Sequence, residues 1–306
     1  ADVIFRTLFS IPIENELAGA VFHEFRAHQQ AQPVVNLGAL LPLPRWFPRF
    51  HSRATRQTAA RIRRLITDLT AARATAIAAG AAPDDLATKI MTLPDPETGQ
   101  RFNTAEMVDQ VAIFFLAGHE TSASALAWAL YLLATHPEWQ ERLAQEAQAE
   151  LTHEQDFGQL GRLKIARAVF REALRLYPPV PMMVRETRCP VQLRDREAPA
   201  RAQVVLSPWH LHRHERIWDD PDSFDPARFD AENGKQGLRS AYIPFSAGPR
   251  VCPGAGFAMV EGPLLLAQLL RDYRVTALPD RIPEPVAYLT VRAKNGIWLR
   301  LEPRRL

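Results

Sequence analysis

Cysteine is nearly missing from this chain of 306 residues, which carries only Cys189 and Cys252. Two thiols cannot build a disulfide framework, and the scarcity points to a reducing, cytoplasmic setting. Lysine is almost as rare: it occurs at Lys89, Lys164, Lys235 and Lys294, so arginine supplies nearly all the positive charge. A formal net charge of +3 is too small to mark a nucleic-acid binder. Internal repeats and low-complexity tails are absent, and no signal peptide pattern opens the chain. The first residues, ADVIFRTLFS, read as the continuation of a helix, so N-terminal sequence is expected to precede them. Apolar residues are plentiful, at 47% of the chain, which excludes a disordered protein and allows a sizeable core.

One apolar run, Val111 to Leu133, is long enough to cross a bilayer. Its middle holds His119, Glu120, Thr121, Ser122 and Ser124. A central carboxylate costs roughly 2.5–3.5 kcal/mol on insertion scales, so the run reads as a buried core helix with a polar centre. Membrane association is not indicated.

Periodicity and caps divide the chain into a helical body, up to about residue 180, and a sheet-bearing part after it. Residues 1–31 and 53–80 read as helices, the second stopped by Gly80. A Pro-rich loop at 33–48 separates them. Asn103 and Glu106 predict a capping box for a long helix over 104–135, and Pro137 opens the next, over 137–151. A helix over 163–177 stops at Pro178 and Pro179. MMVRET, VQL and AQVVL read as strands between 182 and 207, and 208–250 as loop. A last helix spans 254–272, and YRVTAL, AYLTVR and GIWLRLEP are the closing strands.

Several groups of residues carry chemistry, each with a plainer alternative beside it. Ala117 and Gly118 in the long helix precede Glu120 and Thr121; they offer a shallow groove with a hydroxyl, or simply close packing at Gly118. Glu172 and Arg175 stand three apart on one helix and can pair, which matters only if the pair is buried. His210, His212 and His214 alternate, so that a strand would present them on one face for zinc, and a weak reading as a zinc hydrolase follows; solvated or loop-anchoring histidines are the alternative. Cys252 lies among Gly248, Gly254, Gly256, Pro249 and Pro253, ahead of a helix start. Backbone N–H groups and the helix terminus there would stabilise a thiolate, and an inert buried cysteine is the alternative.

The stretch from Phe245 to Gly254, FSAGPRVCPG, resembles the haem-thiolate loop of the cytochromes P-450. Ala117 to Ser122, AGHETS, resembles that family's oxygen-activating motif. Glu172-x-x-Arg175 resembles its Glu-x-x-Arg helix, and HRHERIWDDPDSFDPARF resembles the segment whose arginine, here Arg228, completes a buried Glu–Arg–Arg network. Four motifs in the family's order cover Ala117 to Gly254. Pro-Ala-Arg-Phe stands where the family often has Pro-Glu-Arg-Phe, and His214-Glu215 where Asp-Pro is common.

The resemblance implies a single cytochrome P-450-like domain over 1–306, mainly α with small β-sheets, and N-terminally incomplete. It implies haem b with Cys252 as the axial ligand of its iron, Phe245 packed on the sulfur side, and Gly254 in the loop around the sulfur. Arg250 and Arg185 would pair with haem propionates, a role suited to a planar guanidinium fork. Ala117 and Gly118 would leave room for dioxygen, and Glu120 with Thr121 would supply protons for its cleavage. Ile113, Phe114, Val180, Met182 and Met183 would line a pocket for a hydrophobic small-molecule substrate. Electrons would come from NAD(P)H through a ferredoxin or flavin reductase. A non-catalytic haem- or ligand-binding protein on the same fold is the alternative.

Overall fold

The structure is a computed structural model that describes residues 2–31, 52–96, 98–151, 158–287 and 290–304. The Pro-rich segment at 33–48 lies outside the described residues. The chain is mainly helical with small sheets. It divides into two compact units, Ala1–Glu120 and Thr121–Leu306, and the boundary falls inside one long helix.

The first unit contains α1 (Asp2–Phe9), α2 (Glu16–Ala31), α3 (Arg53–Ala78), α4 (Leu86–Thr92) and the first half of α5 (Thr104–Thr135). Ser52 caps α3 by accepting the Thr55 N–H at 3.0 Å. Gly80, at φ +66°, ends it in the left-handed region that glycine enters without cost. The capping box of α5 closes in both directions. Asn103 N donates to Glu106 Oε2 at 2.9 Å, and Glu106 N to Asn103 Oδ1 at 3.0 Å. The core is aromatic at its centre: the Phe115 ring lies 4.7 Å from each of Phe5 and Phe25. Arg73 is buried in this unit and reaches the Asp85 carboxylate at 2.9 Å, so its charge is compensated where water is excluded.

The second unit holds the rest of α5, α6 (Pro137–Glu150), α7 (Gln159–Arg162), α8 (Lys164–Leu176), α9 (Pro208–Leu211), α10 (Glu232–Ser240) and α11 (Ala255–Asp272). The start of α8 has no cap of its own. Glu146 of α6 supplies one, its two carboxylate oxygens accepting Ile165 N at 2.7 Å and Ala166 N at 2.9 Å. Helices α6, α8 and α11 enclose a core of Leu143, Ala147, Val169, Phe170, Ala173 and Leu266. Gly262 lets α11 approach α8, because a Cβ there would stand 2.3 Å from the Phe170 ring.

Among the described residues every strand lies beyond Met182. The strands form antiparallel pairs: β1 (Met183–Glu186) with β4 (Gln203–Leu206), β2 (Val191–Leu193) with β3 (Arg196–Ala198), β5 (Tyr273–Ala277) with β8 (Leu299–Pro303), and β6 (Pro285–Ala287) with β7 (Val291–Ala293). The side-chain amide of Gln140 in α6 acts as a further partner of β5. It donates to Val275 O and accepts from Val275 N, both at 2.9 Å.

Two expectations change. The segment 208–250, read as loop, contains α9, α10 and a 3-10 turn at Pro226–Asp230. Ser207 caps α9 and Pro208 occupies its first turn. AYLTVR, read as one strand, spans parts of two, with Ala287 opposite Val291. No described helix, α5 included, is long and apolar enough to cross a membrane.

Candidate functional site

Within the second unit, three charged side chains meet below the protein surface. Glu172 and Arg175 are fully buried on α8, and Arg228 is nearly so. Arg175 grips Glu172 with two bonds, Nε to Oε2 at 2.9 Å and Nη2 to Oε1 at 2.8 Å. Arg228 Nε adds a third, to Oε1, at 2.8 Å. Two guanidiniums against one carboxylate leave a surplus positive charge, and backbone carbonyl dipoles surround it. Arg175 also donates to His212 O, Pro221 O and Ser223 O, and Arg228 to Asp219 O, Asp220 O and Ser223 O. Such saturation offsets the desolvation of a buried pair. Ala227 is exposed, so alanine in place of glutamate beside Arg228 leaves the network intact.

The network anchors the segment that leads into the cysteine loop. After Phe245, which packs against the core, Ser246 (φ +66°) and Gly248 (φ +68°) turn the chain through left-handed conformations. A 3-10 turn at Gly248–Arg250 follows. The loop closes where Cys252 N donates to Phe245 O at 2.8 Å. Ala255 then begins α11, so Cys252 sits just ahead of a helix N-terminus, whose partial positive charge favours an anion. Gly254 precedes that helix, and a Cβ there would make only an ordinary contact, 3.8 Å, with Cys252 Sγ. The thiol itself is free and exposed, and not the buried inert cysteine considered above.

Arg185, on β1, reaches this loop. Its Nη2 donates to Ser246 Oγ at 3.2 Å and its Nη1 to Val184 O at 3.1 Å. Arg250 is exposed on the loop itself. Among the described residues neither arginine forms an ion pair. Met182, Val184, Val251 and Phe257 nearby in sequence are exposed despite being apolar. One accessible thiol, two guanidiniums without counter-charges and bare apolar side chains suit a flat apolar group that carries a metal and two carboxylates. Haem has those features, so the residues fit it.

The other expected site residues divide between the units. Ile113 is exposed and Phe114 half-buried in the first; Val180 and Met183 are half-buried and Met182 is exposed in the second. Ala117, Gly118 and Glu120 belong to the first unit and Thr121 to the second. A Cβ on Gly118 would stand 2.6 Å from Ile4 Cδ1, so the glycine admits a neighbouring side chain there. Glu120 is buried and accepts a hydrogen bond from Gln29 Nε2 at 2.5 Å. Glu261, on α11, takes a hydrogen bond from Ser122. Burial pushes its carboxyl above the usual range and that bond works against the rise.

The histidines form no metal centre. His210 lies on α9 and pairs with Ser207 Oγ at 2.8 Å, whereas His214 follows the helix and accepts Arg216 N at 3.2 Å. His212 is wholly buried, with one ring nitrogen accepting Ile243 N at 2.9 Å. The alternation that a strand would put on one face is spread around a helical turn. Among the described residues, no three His, Cys, Asp or Glu side chains are placed to hold a metal ion. Sequence reading missed Ser246, whose hydroxyl meets Arg185, and Glu261 on α11; Ser246 has no signal beyond its place in the cysteine loop, and Glu261 has none.

A sequence model of the family Cytochrome P450 matches residues 1–299. The chain is similar to human Cytochrome P450 4F2, 39% identical over 220 residues, or 70% of this chain and 42% of that protein. Mouse Leukotriene-B4 omega-hydroxylase 3 gives the same figures, 39% over 220 residues, 70% and 42%. The chain thus spans about two-fifths of the length of these relatives. Among solved structures, the haem domain of cytochrome P450DA superposes with a TM-score of 0.83 at 25% identity, covering 99% of this chain and 66% of that one. Cyanobacterial CYP120A1 with retinoic acid bound superposes with a TM-score of 0.83 at 25% identity, covering 99% and 67%.

Proposed function

The chain belongs to the cytochrome P450 family, and on that premise we propose that it works as a haem-thiolate monooxygenase, placing one oxygen atom from dioxygen into a hydrophobic organic substrate. The observation that carries this reading is the Cys252 loop: an accessible thiol ahead of a helix N-terminus, tied by its own backbone to Phe245, with Arg185 tethered to it through Ser246.

Cys252 would hold the iron of haem b, while Arg185 and Arg250 would bind its propionates through charge-assisted hydrogen bonds. Phe245 and Gly254 would shape the sulfur side of the site. Bound haem supplies dioxygen binding and its reductive activation, with thiolate ligation favouring O–O cleavage. Glu120 would hold a proton on its carboxylate and Thr121 would pass one through its hydroxyl. Ala117 would keep side-chain bulk low on that helix face, whereas at Gly118 the Ile4 side chain takes the space that a Cβ would fill. Ile113, Phe114, Val180, Met182 and Met183 would exclude water and hold the substrate by apolar contact. A relative named as a leukotriene-B4 omega-hydroxylase and a solved neighbour with retinoic acid bound support an elongated lipid acid as the substrate class. Electrons would reach the site from NAD(P)H through a ferredoxin or flavin reductase.

The ferrous–carbon monoxide spectrum of the haem-loaded protein tests this. A red-shifted Soret band of the thiolate type is expected. A band at the position of a histidine- or water-ligated haem would overturn Cys252 as ligand. Thr121→Ala is expected to divert reducing equivalents from product to peroxide; unchanged coupling would remove Thr121 from the proton path.

A further inference from the structure

We propose that His212 is a positioning residue for the Cys252 loop: its neutral ring ties the helix bearing Glu172 and Arg175 to the segment that enters the loop. The ring is fully buried, and its tautomer follows from its partners. Ile243 N–H donates to Nε2 at 2.9 Å, so Nε2 carries no proton. The ring proton therefore sits on Nδ1, which faces the Arg175 carbonyl at 3.3 Å. The backbone of His212 is held by the same residue, since Arg175 Nη1 donates to His212 O at 2.8 Å. The Tyr242 ring stacks on the imidazole with centroids 5.3 Å apart.

Ile243 passes the constraint on. Its carbonyl accepts Ser246 N–H at 3.1 Å, and Ser246 is the residue that meets Arg185. Between them lies Phe245, whose carbonyl receives Cys252 N–H. A continuous run of bonds thus leads from the buried charge network through His212 and Ile243 to the backbone beneath the thiol.

A proton on Nε2 would break this link. Arg175 and Arg213 are the cations nearest the ring, Tyr242 contributes a phenol, and the Glu172 carboxylate is already bonded to two guanidiniums. No carboxylate among the described residues hydrogen-bonds the imidazole. Protonation would add a positive charge beside these arginines and remove the acceptor of Ile243 N–H. Burial accordingly holds the ring's pKa down to about 4.

Amide hydrogen exchange over residues 242–246, expressed as protection factors between pH 7 and pH 4, tests the proposal. Protection in the parent protein should fall at least tenfold across that range. His212→Gln keeps an acceptor that does not titrate, and should hold protection flat. His212→Leu should already show the loss at pH 7. A His212→Gln profile that falls at the same pH as the parent would overturn the proposal, as would full protection in His212→Leu. Should His212→Leu not fold, the glutamine comparison decides alone. With haem bound, the thiolate-type Soret band should survive at pH 5 better in His212→Gln than in the parent. That arm rests on Cys252 ligating the iron, whereas amide exchange does not, so the two readings fail separately.

Discussion

Arg228 Nε meets Glu172 Oε1 at 2.8 Å across 56 residues of sequence, at a carboxylate already gripped twice by Arg175. Removing one member of such a group leaves charge buried without compensation. Glu172→Gln keeps the volume but strands two guanidiniums. It is expected to destabilise the fold by about 3–5 kcal/mol in urea unfolding. A loss below about 1 kcal/mol would mean that the surrounding carbonyls satisfy the arginines unaided.

Acid should weaken the protein through His212. Its pKa is about 4 when folded, below the ordinary 6.5, so between those values the unfolded chain binds more protons. Stability is therefore retained above pH 6.5 and lost as pH falls towards 4, by roughly 3 kcal/mol in total. Carboxylates titrate in the same range, so the difference between the parent and His212→Gln isolates this contribution in urea unfolding at stepped pH. Parallel curves for the two would show that the imidazole contributes nothing.

The contact of Gly262 with Phe170 leaves no room for a methyl group. Gly262→Ala should cost about 1–3 kcal/mol by overpacking, although alanine is the better helix former. Combining it with Phe170→Leu, which frees space, should give a double variant more stable than the sum of the two single losses. Simple additivity in thermal unfolding would place the two residues out of contact.

Cys252→Ser separates fold from ligation. The thiol is exposed and unbonded, so stability without haem should stay within about 0.5 kcal/mol of the parent. The thiolate-type carbon monoxide band should vanish. A retained band would assign the ligand to another residue.

Much of this structure is legible in the sequence where local signals and burial agree. The capping box at Asn103 and Glu106 and the break at His136-Pro137 place both ends of α5, and Gly80 places the end of α3. The spacing of Glu172 and Arg175 shows that they can meet, but their burial rests on carbonyls from residues 212–223, which no local pattern reveals. Helix α10 is hidden because it contains Gly234 and Gly237, each unfavourable inside a helix by about 1 kcal/mol. Packing requires both: a Cβ would stand 1.8 Å from Arg228 O at the first and 2.9 Å from the Trp218 ring at the second. Strand β3 is equally obscure, since Arg196-Glu197-Ala198 lacks apolar alternation and is set by its hairpin with β2. Alternating histidines suggested a metal face only on the assumption of a strand; Ser207 and Pro208 start a helix there.

The amide of Gln140 has a consequence for how this protein behaves when crowded. Val275 turns its N–H and C=O away from β8, the orientation in which a strand recruits a neighbouring molecule and seeds aggregation. A glutamine side chain from the same chain already occupies both groups, and it is itself almost wholly shielded from water. The edge of β5 is therefore closed at that point from within, a safeguard against self-association that needs neither a charged gatekeeper nor a proline.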